Sequence, residues 1–437
     1  MRTIVQKNIS NADQFKSQIL NWSSDYREVV FLNSNSDYNS SQKYADYEFI
    51  FAVDAFTSLK TDYFNAFQDL NQYQKQTQDW LFGYLTYDLK NTTEKLESKN
   101  DDFLEFPDLF FFQPKKLFLY KNGILEMHYL RLCDDEIESD FAEINQITFD
   151  KYKDVKQTLI IQSKIAKPDY IEKIEQTIAY IQLGSIYEAN FCMEFFSDNA
   201  KINPIEIYQN LNKISNPPFS VFFKNNSHFA LSASPERYLK KIENKLISQP
   251  IKGTAKRFVD KDLDEKSKLD LQNNPKERSE NIMIVDLVRN DLSKTAKKGS
   301  VQVEELCAIY SYQQVHHLVS TIISEMEENL SPVEAIQSTF PMGSMTGAPK
   351  IAAMQIMEDL EETKRGLYSG SIGYFTPNGD FDFNVVIRSI LYNQKNNYLS
   401  FSVGSAITAL SEPKNEYQEC FLKAKAMFQV LNSDYDI

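Results

Sequence analysis

The chain has 437 residues, of which 61 are Asp or Glu and 47 are Lys or Arg, giving a formal net charge of −14. This acidic balance argues against a broad nucleic-acid-binding surface, which needs clustered Lys and Arg. No apolar run approaches the ~20 residues that a membrane-spanning helix needs, and the first residues lack the apolar segment of a signal peptide. We therefore expect a cytoplasmic protein that binds neither nucleic acid nor membranes.

The predicted elements change in character along the chain. In the N-terminal third, short apolar runs at residues 29–32 and 49–53 predict β-strands. Residues 168–182 have apolar side chains at helical spacing, so they predict a helix that ends before Gly184. Strands then alternate with helices. Their alternation of apolar and polar residues, as at 398–403, is typical of an antiparallel sheet with one covered face.

Two Glu-x-x-Glu pairs could carry chemistry: Glu277 with Glu280, and Glu416 with Glu419. In a helix each pair would project from one face, because residues three apart are neighbours. Like charges side by side cost a few tenths of a kcal/mol unless a cation lies between them. Four facing carboxylates would suit a hard cation such as magnesium, whereas two solvated helix faces are the commoner meaning of such pairs.

Three further segments are candidates for function. Residues 343–350 (GSMTGAPK) offer backbone N–H groups, hydroxyls and a lysine, as an anion site or simply as a helix N-terminus. Lys252 lies beside Gly253. A lysine in a partly dry pocket can lose its proton and act as a nucleophile, while an exposed lysine at a strand end is the alternative. On a strand, His316 and His317 would point to opposite faces, so at most one lines a given pocket.

The order and spacing of such segments are more specific than any one of them. In chain order they are LGSIYEANF (183–191), SASPER (232–237), PIKGT (250–254), KERSENIMIVDLVRNDL (276–292), VHHLVSTI (315–322), FPMGSMTGAPK (340–350), RGLYSGSIGY (365–374), IRS (387–389) and the tail at 416–419. In this order the chain resembles the chorismate-utilising enzymes, a family that includes anthranilate, isochorismate and salicylate synthases. The resemblance covers essentially the whole chain and is strongest from about residue 168.

The resemblance implies an α+β fold in which two antiparallel β-sheets pack as a sandwich with helices outside. Residues 1–150 would form the N-terminal half of this fold, and residues 165–437 the chorismate-binding catalytic region. It also implies that Glu280 and Glu419 bind Mg²⁺ directly, with Glu277 and Glu416 behind them acting through waters. The implied contacts with chorismate are Gly253, Thr254, Ser344, Tyr368, Arg388, Gly404, Ser405, Ala406 and Lys423, and His317 matches an active-site histidine.

Lys252 decides which reaction the resemblance implies. Anthranilate synthases usually have a small residue here, and ammonia adds at ring carbon 2. A lysine can itself add at carbon 2 as the carbon 4 hydroxyl leaves, so that ammonia ends at carbon 4. Glu236 corresponds to the general acid that protonates this hydroxyl. A nucleophilic Lys252 must be neutral, so we expect its site to disfavour the ammonium form.

Other outcomes are less favoured by the residues present. Isochorismate and salicylate synthases usually have a lysine base in the segment aligned with IYEAN. Here Glu188, Ala189 and Asn190 stand in its place, which argues against water as the nucleophile. Amination at carbon 2, as in anthranilate synthase component I, is the alternative activity. An inactive amidotransferase-binding subunit is the alternative of another class, although no catalytic group is missing.

Two further expectations concern partners. None of the four cysteines lies in a glutaminase pattern, so we expect a separate glutamine amidotransferase subunit to supply ammonia for a product on the route to p-aminobenzoate and folate. Where relatives bind tryptophan, Pro218, Phe219 and Ser220 resemble one wall of the pocket and Ser34 loosely resembles the other. Whether tryptophan binds is left open by the sequence.

Overall fold

The structure is a computed structural model that describes residues 1–35, 43–148, 159–313 and 315–433. Within these ranges the chain forms twenty β-strands and eleven α-helices. The strands are β1 (Arg2–Asn8), β2 (Glu28–Asn33), β3 (Phe49–Thr61), β4 (Leu81–Leu85), β5 (Leu109–Lys121), β6 (Ile124–Leu130), β7 (Gln162–Ser163), β8 (Glu188–Ser197), β9 (Phe219–Asn225), β10 (His228–Ser234), β11 (Arg237–Ile242), β12 (Lys245–Gln249), β13 (Ile251–Lys256), β14 (Gln302–Ser311), β15 (Val315–Glu325), β16 (Gly347–Ala348), β17 (Ser371–Phe375), β18 (Phe381–Asn384), β19 (Ser389–Asn393) and β20 (Tyr398–Ile407). The helices are α1 (Ala12–Trp22), α2 (Ala66–Thr77), α3 (Lys90–Thr93), α4 (Ile137–Gln146), α5 (Lys167–Gln182), α6 (Pro204–Ser215), α7 (Lys261–Asn273), α8 (Pro275–Ser293), α9 (Pro332–Thr339), α10 (Lys350–Leu360) and α11 (Pro413–Val430).

The strands pair antiparallel in two sheets that meet at β5. One sheet runs β1–β6–β5–β3–β2–β9–β10–β19–β20–β8, with β7 and β16 against β8. The other runs β4–β17–β18–β11–β12–β15, and β13 and β14 also pair with β15. The long strand β5 pairs with β3 and β6 in the first sheet and with β4 of the second. The two sheets are therefore continuous at this strand.

Alternate residues of the first sheet face two different cores, because side chains on a strand alternate between its faces. Val30 and Ile50 belong to a buried cluster shared with Leu239 of the second sheet. Their neighbours Phe31 and Phe49 belong to another cluster, which includes side chains of α1, α5, α6 and α11. This arrangement is a sandwich of two sheets with helices outside, as the sequence predicted.

Local signals explain where the site-bearing helices begin. Asn274 caps α8, its side-chain oxygen accepting hydrogen bonds from the backbone N–H groups of Lys276 and Glu277, and Pro275 occupies the first turn. Glu277 and Glu280 therefore lie in the first two turns of α8. Helix α11 likewise begins at a proline, Pro413. The helix predicted at 168–182 is α5, and the predicted strands lie within β2, β3 and β20.

Both predicted halves contribute strands to the same sheet. Strand β2 of the N-terminal half pairs with β9 of the catalytic region, from Glu28 opposite Asn225 to Asn33 opposite Ser220. The boundary between residues 150 and 165 stays a prediction, and residues 149–158 lie outside the described ranges. In the parts of the chain that the structure covers, every helix is too short or too polar to cross a membrane.

Candidate active site

Four elements bring ionisable side chains together at one place. Lys252 on β13 contacts Glu188, the first residue of β8, with 2.8 Å between Nζ and Oε1. Glu280 on α8 and Glu236 in the turn between β10 and β11 also face Lys252 closely enough to influence its charge. The residues come from positions 188 to 280 of the chain, so the fold rather than local sequence assembles this cluster.

Glu236 has the environment of a general acid. Its side chain is buried, with the residue 4% exposed, and it hydrogen-bonds with the Ser344 side chain. Burial raises the pKa of Glu236 to about 7, although Ser344 and the charge of Lys252 act in the opposite direction. A carboxyl group of this kind is partly protonated at neutral pH and can donate a proton. This geometry suits the role expected for Glu236.

Lys252 is held as a cation, which differs from the expectation drawn from the sequence. Its side chain is 11% exposed. Burial lowers the pKa of Lys252, but the carboxyl groups of Glu188, Glu280 and Glu236 together outweigh burial, and the pKa is raised. The site therefore favours the ammonium form at rest, and a nucleophilic lysine here needs a group that takes its proton.

His317 on β15 lies opposite Thr254 on β13, with 2.9 Å between His317 Nδ1 and Thr254 Oγ1. Burial and then the positive charge of Arg388 lower the pKa of His317 to about 3, so the ring is neutral. His316 lies on the opposite face, where it contacts Ser311 and Asp264. The prediction that only one of the two histidines faces the site is confirmed.

The four glutamates of the two Glu-x-x-Glu pairs have different surroundings. Burial raises the pKa of Glu280 to about 7, and burial together with the charge of Glu419 raises that of Glu277. Burial raises the pKa of Glu419, but Lys423, at 2.7 Å, together with Lys276 and Lys252 outweighs burial, and the pKa is lowered. Glu416 is buried and accepts a hydrogen bond from the Ser405 hydroxyl.

These carboxylates do not form a closed metal cage. Among the residues that the structure describes, no three His, Cys, Asp or Glu side chains are grouped closely enough to hold a metal ion. Glu277 and Glu419 nevertheless influence each other across the site, and Glu280 is held at a raised pKa by burial. Carboxylate oxygens of this kind fit a magnesium ion, which commonly uses one or two protein carboxylates together with waters and substrate. Magnesium binding stays a prediction.

Gly253 and Gly404 approach their neighbours too closely for a larger residue. A Cβ on Gly253, which has φ of +93°, would lie 3.0 Å from Glu277 Oε2. One on Gly404 would lie 2.6 Å from Asn190 Nδ2. Gly404 and Ala406 share one face of β20, and Ser405 lies on the other, directed to Glu416. The contact expected of residues 404–406 with a substrate carboxylate is through backbone N–H groups, and it stays a prediction.

The other predicted substrate residues surround the same region. Arg388 Nη1 donates a hydrogen bond to the backbone oxygen of Lys423 at 3.2 Å, and Lys423 Nζ donates to the Gly404 oxygen at 2.8 Å. Tyr368 is buried and hydrogen-bonds with Cys192. Lys423 is ion-paired with Glu419 and Arg388 lies near the same carboxylate, so both cations could receive an anionic substrate here.

Residues 27–429 match the family model described as chorismate binding enzyme. The chain belongs to the chorismate-binding enzyme family. It is 33% identical over 355 residues to aminodeoxychorismate synthase component 1 of Klebsiella aerogenes, covering 80% of this chain and 77% of that protein. It is 38% identical over 323 residues to the chloroplastic aminodeoxychorismate synthase of Arabidopsis thaliana, covering 71% of this chain but 34% of that protein. The chain thus spans about a third of this plant relative.

A solved structure of the chorismate-binding family has the same fold. The anthranilate synthase component I of Streptococcus pneumoniae superposes with a TM-score of 0.75 at 25% identity, covering 86% of this chain and 91% of that one. This agreement confirms the fold class.

The residues with a resemblance to a tryptophan pocket lie close to one another, in a cavity that Lys252 does not line. Ser34, Pro218, Phe219 and Ser220 all line one cavity between β2, β9 and β17. Arg237 and Asp382, which also line it, form an ion pair with 2.9 Å between Nε and Oδ1. The structure brings the predicted residues together, and tryptophan binding itself stays a prediction.

Two positioning groups were missed by reasoning from the chorismate-binding motifs. Asn281 Nδ2 donates to the backbone oxygens of Leu318, at 3.0 Å, and Lys252, at 3.4 Å, and so ties α8 to β13 and β15. Sequence reasoning assigns Glu188 no role beyond replacing the lysine of related enzymes, although Glu188 contacts Lys252. Asn281 directly follows Glu280, a predicted metal ligand. A polar residue at that position is the signal that could have identified it. For Glu188 the only signal was a charged residue within an apolar strand.

Proposed function

We propose that this chain aminates chorismate at ring carbon 4, giving 4-amino-4-deoxychorismate. The observation that carries the proposal is the position of Lys252, buried beside Glu188 and facing the Glu236 carboxyl group. A small residue at position 252 would leave space for ammonia beside ring carbon 2, whereas the lysine fills that space. Similarity to proteins named aminodeoxychorismate synthase supports the same reaction.

The residues present can perform this reaction in two displacements. Neutral Lys252 adds to carbon 2 of chorismate, the ring double bonds shift, and the carbon 4 hydroxyl leaves as water with a proton from Glu236. Ammonia then adds at carbon 4, the double bonds shift back, and the bond from Lys252 to carbon 2 breaks. The surplus proton on the new amine returns to Glu236. Chorismate and ammonia thus give the amino product and water, with both side chains restored.

The charged groups around the cluster suit a substrate with two carboxylates. Arg388 has the planar guanidinium that binds carboxylates with two hydrogen bonds and is proposed for the enolpyruvyl carboxylate. Gly253 and Thr254 would lie along the ring, with neutral His317 holding Thr254 in place. Mg²⁺, bound by Glu280 and Glu419, would supply positive charge for the ring carboxylate, with Glu277 and Glu416 behind these ligands.

The proposal includes a partner and a pathway. Ammonia would come from a separate glutamine amidotransferase subunit, as the designation component 1 of the Klebsiella aerogenes relative suggests. The product would serve p-aminobenzoate and folate synthesis in the cytoplasm. Amination at carbon 2 is the second candidate, supported by the structural likeness to an anthranilate synthase component I.

Product identification tests the proposal. The purified chain is incubated with chorismate and ammonium at alkaline pH, and products are separated and identified by mass and absorption spectrum. We expect 4-amino-4-deoxychorismate, and no activity with glutamine in place of ammonium. Lys252→Ala should lower its formation by about 10³-fold or more, as removal of a nucleophile does, and open space for some anthranilate. Anthranilate as the wild-type product would contradict the proposal.

A further inference from the structure

Glu188 is held in place by its backbone on both sides of β8. On one side Glu188 lies opposite Ala348 of β16, and on the other Ala189 lies opposite Ile407 of β20. The approach of β16 is close, because a Cβ on Gly347 would lie 2.2 Å from the Glu188 backbone oxygen. The backbone position of Glu188 is therefore set by sheet pairing.

The Glu188 carboxylate has fewer partners than a buried carboxylate needs. The residue is 1% exposed, Oε1 contacts Lys252 Nζ at 2.8 Å, and Oε2 is buried with no hydrogen-bond partner in the ranges that the structure describes. An ionised carboxylate has about four acceptor positions, and leaving a buried one unpaired is destabilising. A pair built only for stability would satisfy both oxygens. The Lys252 ammonium group is therefore the single polar contact of this carboxylate among the described residues.

Three carboxyl groups face Lys252 from three elements: Glu188 from β8, Glu280 from α8 and Glu236 from the turn between β10 and β11. Only Glu188, among the described residues, is in hydrogen-bond contact with Nζ. A lysine that must attack carbon has to lose its proton first, and a direct hydrogen bond is the shortest route for that proton. Glu236 is already needed to protonate the leaving hydroxyl.

We propose that Glu188 accepts a proton from the Lys252 ammonium group and thereby produces the neutral amine that adds to chorismate. The inference rests on the proposed function and assigns its missing proton acceptor. In the first step the proton moves from Nζ to Oε1, leaving Lys252 and Glu188 both neutral. After ammonia has displaced the lysine from carbon 2, the neutral amine takes the proton back and the ion pair reforms. No further reactant is needed.

Adduct formation in the absence of ammonia isolates this step. Wild type, Glu188→Gln and Glu188→Asp are mixed with chorismate and magnesium, quenched rapidly and measured by intact-protein mass spectrometry, across a range from mildly acidic to alkaline pH. The control is Glu194→Gln, which removes another buried carboxylate of β8 that contacts Tyr398 rather than Lys252. Circular dichroism confirms that each variant is folded.

We expect Glu188→Gln to form the Lys252 adduct about 100-fold more slowly at neutral pH, the usual contribution of a general base. Its rate relative to wild type should then rise with pH, because solvent must remove the lysine proton while Glu236 acts alike in both proteins. Glu188→Asp keeps a carboxylate at a greater distance, so it should be slower than wild type but keep the wild-type pH dependence. Glu194→Gln should react like wild type.

The opposite outcome is distinct. If Glu188 only restrains the lysine, Glu188→Gln removes the charge that raises the Lys252 pKa, and the adduct forms as fast as in wild type or faster, which overturns the inference. If Glu188→Gln does not fold, a Glu188→Asp protein at full rate overturns it equally. A wild type that makes the carbon 4 product while Glu188→Gln is unaffected refutes only the role of Glu188. A wild type that never forms an adduct refutes both this role and the lysine step of the proposed function.

Discussion

Two buried ion pairs, Arg365 with Glu361 and Lys252 with Glu188, differ in how many of their polar atoms have hydrogen-bond partners. Arg365 donates to both oxygens of Glu361, at 2.6 and 2.9 Å, and also to the backbone oxygens of Met345 and Asn190, each at 2.7 Å. Glu361 accepts a further hydrogen bond from the Cys192 backbone N–H at 2.9 Å. The pair of Lys252 and Glu188, by contrast, has one hydrogen bond and an unpaired oxygen.

The difference separates a structural ion pair from a reactive one. Arg365 and Glu361 balance each other and join three segments of backbone, which stabilises the turn before β16 and the start of β8. Lys252 is a single cation facing three carboxyl groups, so its cluster has surplus negative charge that protons or an added cation must neutralise. Buried polar atoms without hydrogen-bond partners destabilise a folded protein, and they are found mainly at functional sites.

The largest expected effect comes from breaking the satisfied pair. Arg365→Met should lower the free energy of unfolding by about 3–5 kcal/mol, because it leaves Glu361 buried without its cation and removes donors from two backbone oxygens. The matched variant Lys252→Met also leaves a buried carboxylate without its cation, but it removes a single hydrogen bond, so it should cost less, about 2–3 kcal/mol. Urea denaturation followed by circular dichroism measures both. Equal losses would show that the two pairs contribute alike to stability.

The surplus negative charge of the Lys252 cluster predicts a need for magnesium. Glu280→Gln should lower the rate of the carbon 4 product by about 10²–10³-fold through loss of a metal anchor, with partial recovery at high magnesium concentration. Steady-state kinetics with and without a chelator measure this, with Glu194→Gln as the control for removing a buried carboxylate. Full wild-type activity in excess chelator would refute the magnesium assignment.

A smaller effect concerns the pKa of Glu236, which burial raises to about 7. Because the protonated form is the acid, the adduct-forming rate should fall as pH rises through this pKa. The Ser344 hydrogen bond lowers the Glu236 pKa, so Ser344→Ala should raise it and move the falling limb upward by about one pH unit, equivalent to 1.36 kcal/mol. Ser248→Ala, which removes another buried hydroxyl, is the control. Glu280 also has a raised pKa. If the fall in rate occurs at the same pH in Ser344→Ala as in wild type, the titrating group is not Glu236.

Much of the fold could be predicted because its signals are local. The apolar spacing at residues 168–182 anticipates α5, and alternation along β20 anticipates an antiparallel sheet. The same alternation predicts that the Ser405 side chain lies on the opposite face of β20 from Gly404 and Ala406. In the structure the Ser405 side chain contacts Glu416 on that face. Family order placed Glu236, Lys252 and Glu280 in one site, and the structure brings these three together.

What could not be predicted depends on contacts between distant segments. Glu188 contacts Lys252 because β8 pairs with β16 and β20 while α8 supports β13. The segments that contain these two residues, 183–191 and 250–254, carry no information about each other's position. The spacing of Glu361 and Arg365 resembles a helical pair, yet α10 ends at Leu360, so a helical rule would give the contact for the wrong reason. The two Glu-x-x-Glu motifs did not reveal that Glu416 is paired with a serine and Glu419 with a lysine.

The pairing of β2 with β9 has a consequence for synthesis on the ribosome. Asn33 finds its partner Ser220 only after a long stretch of intervening chain has been translated. At the usual 5–20 residues per second this takes on the order of 10–40 s. During that interval β2 and β3 present an apolar, Phe-rich edge without its neighbour, which is the kind of surface that nascent-chain chaperones cover.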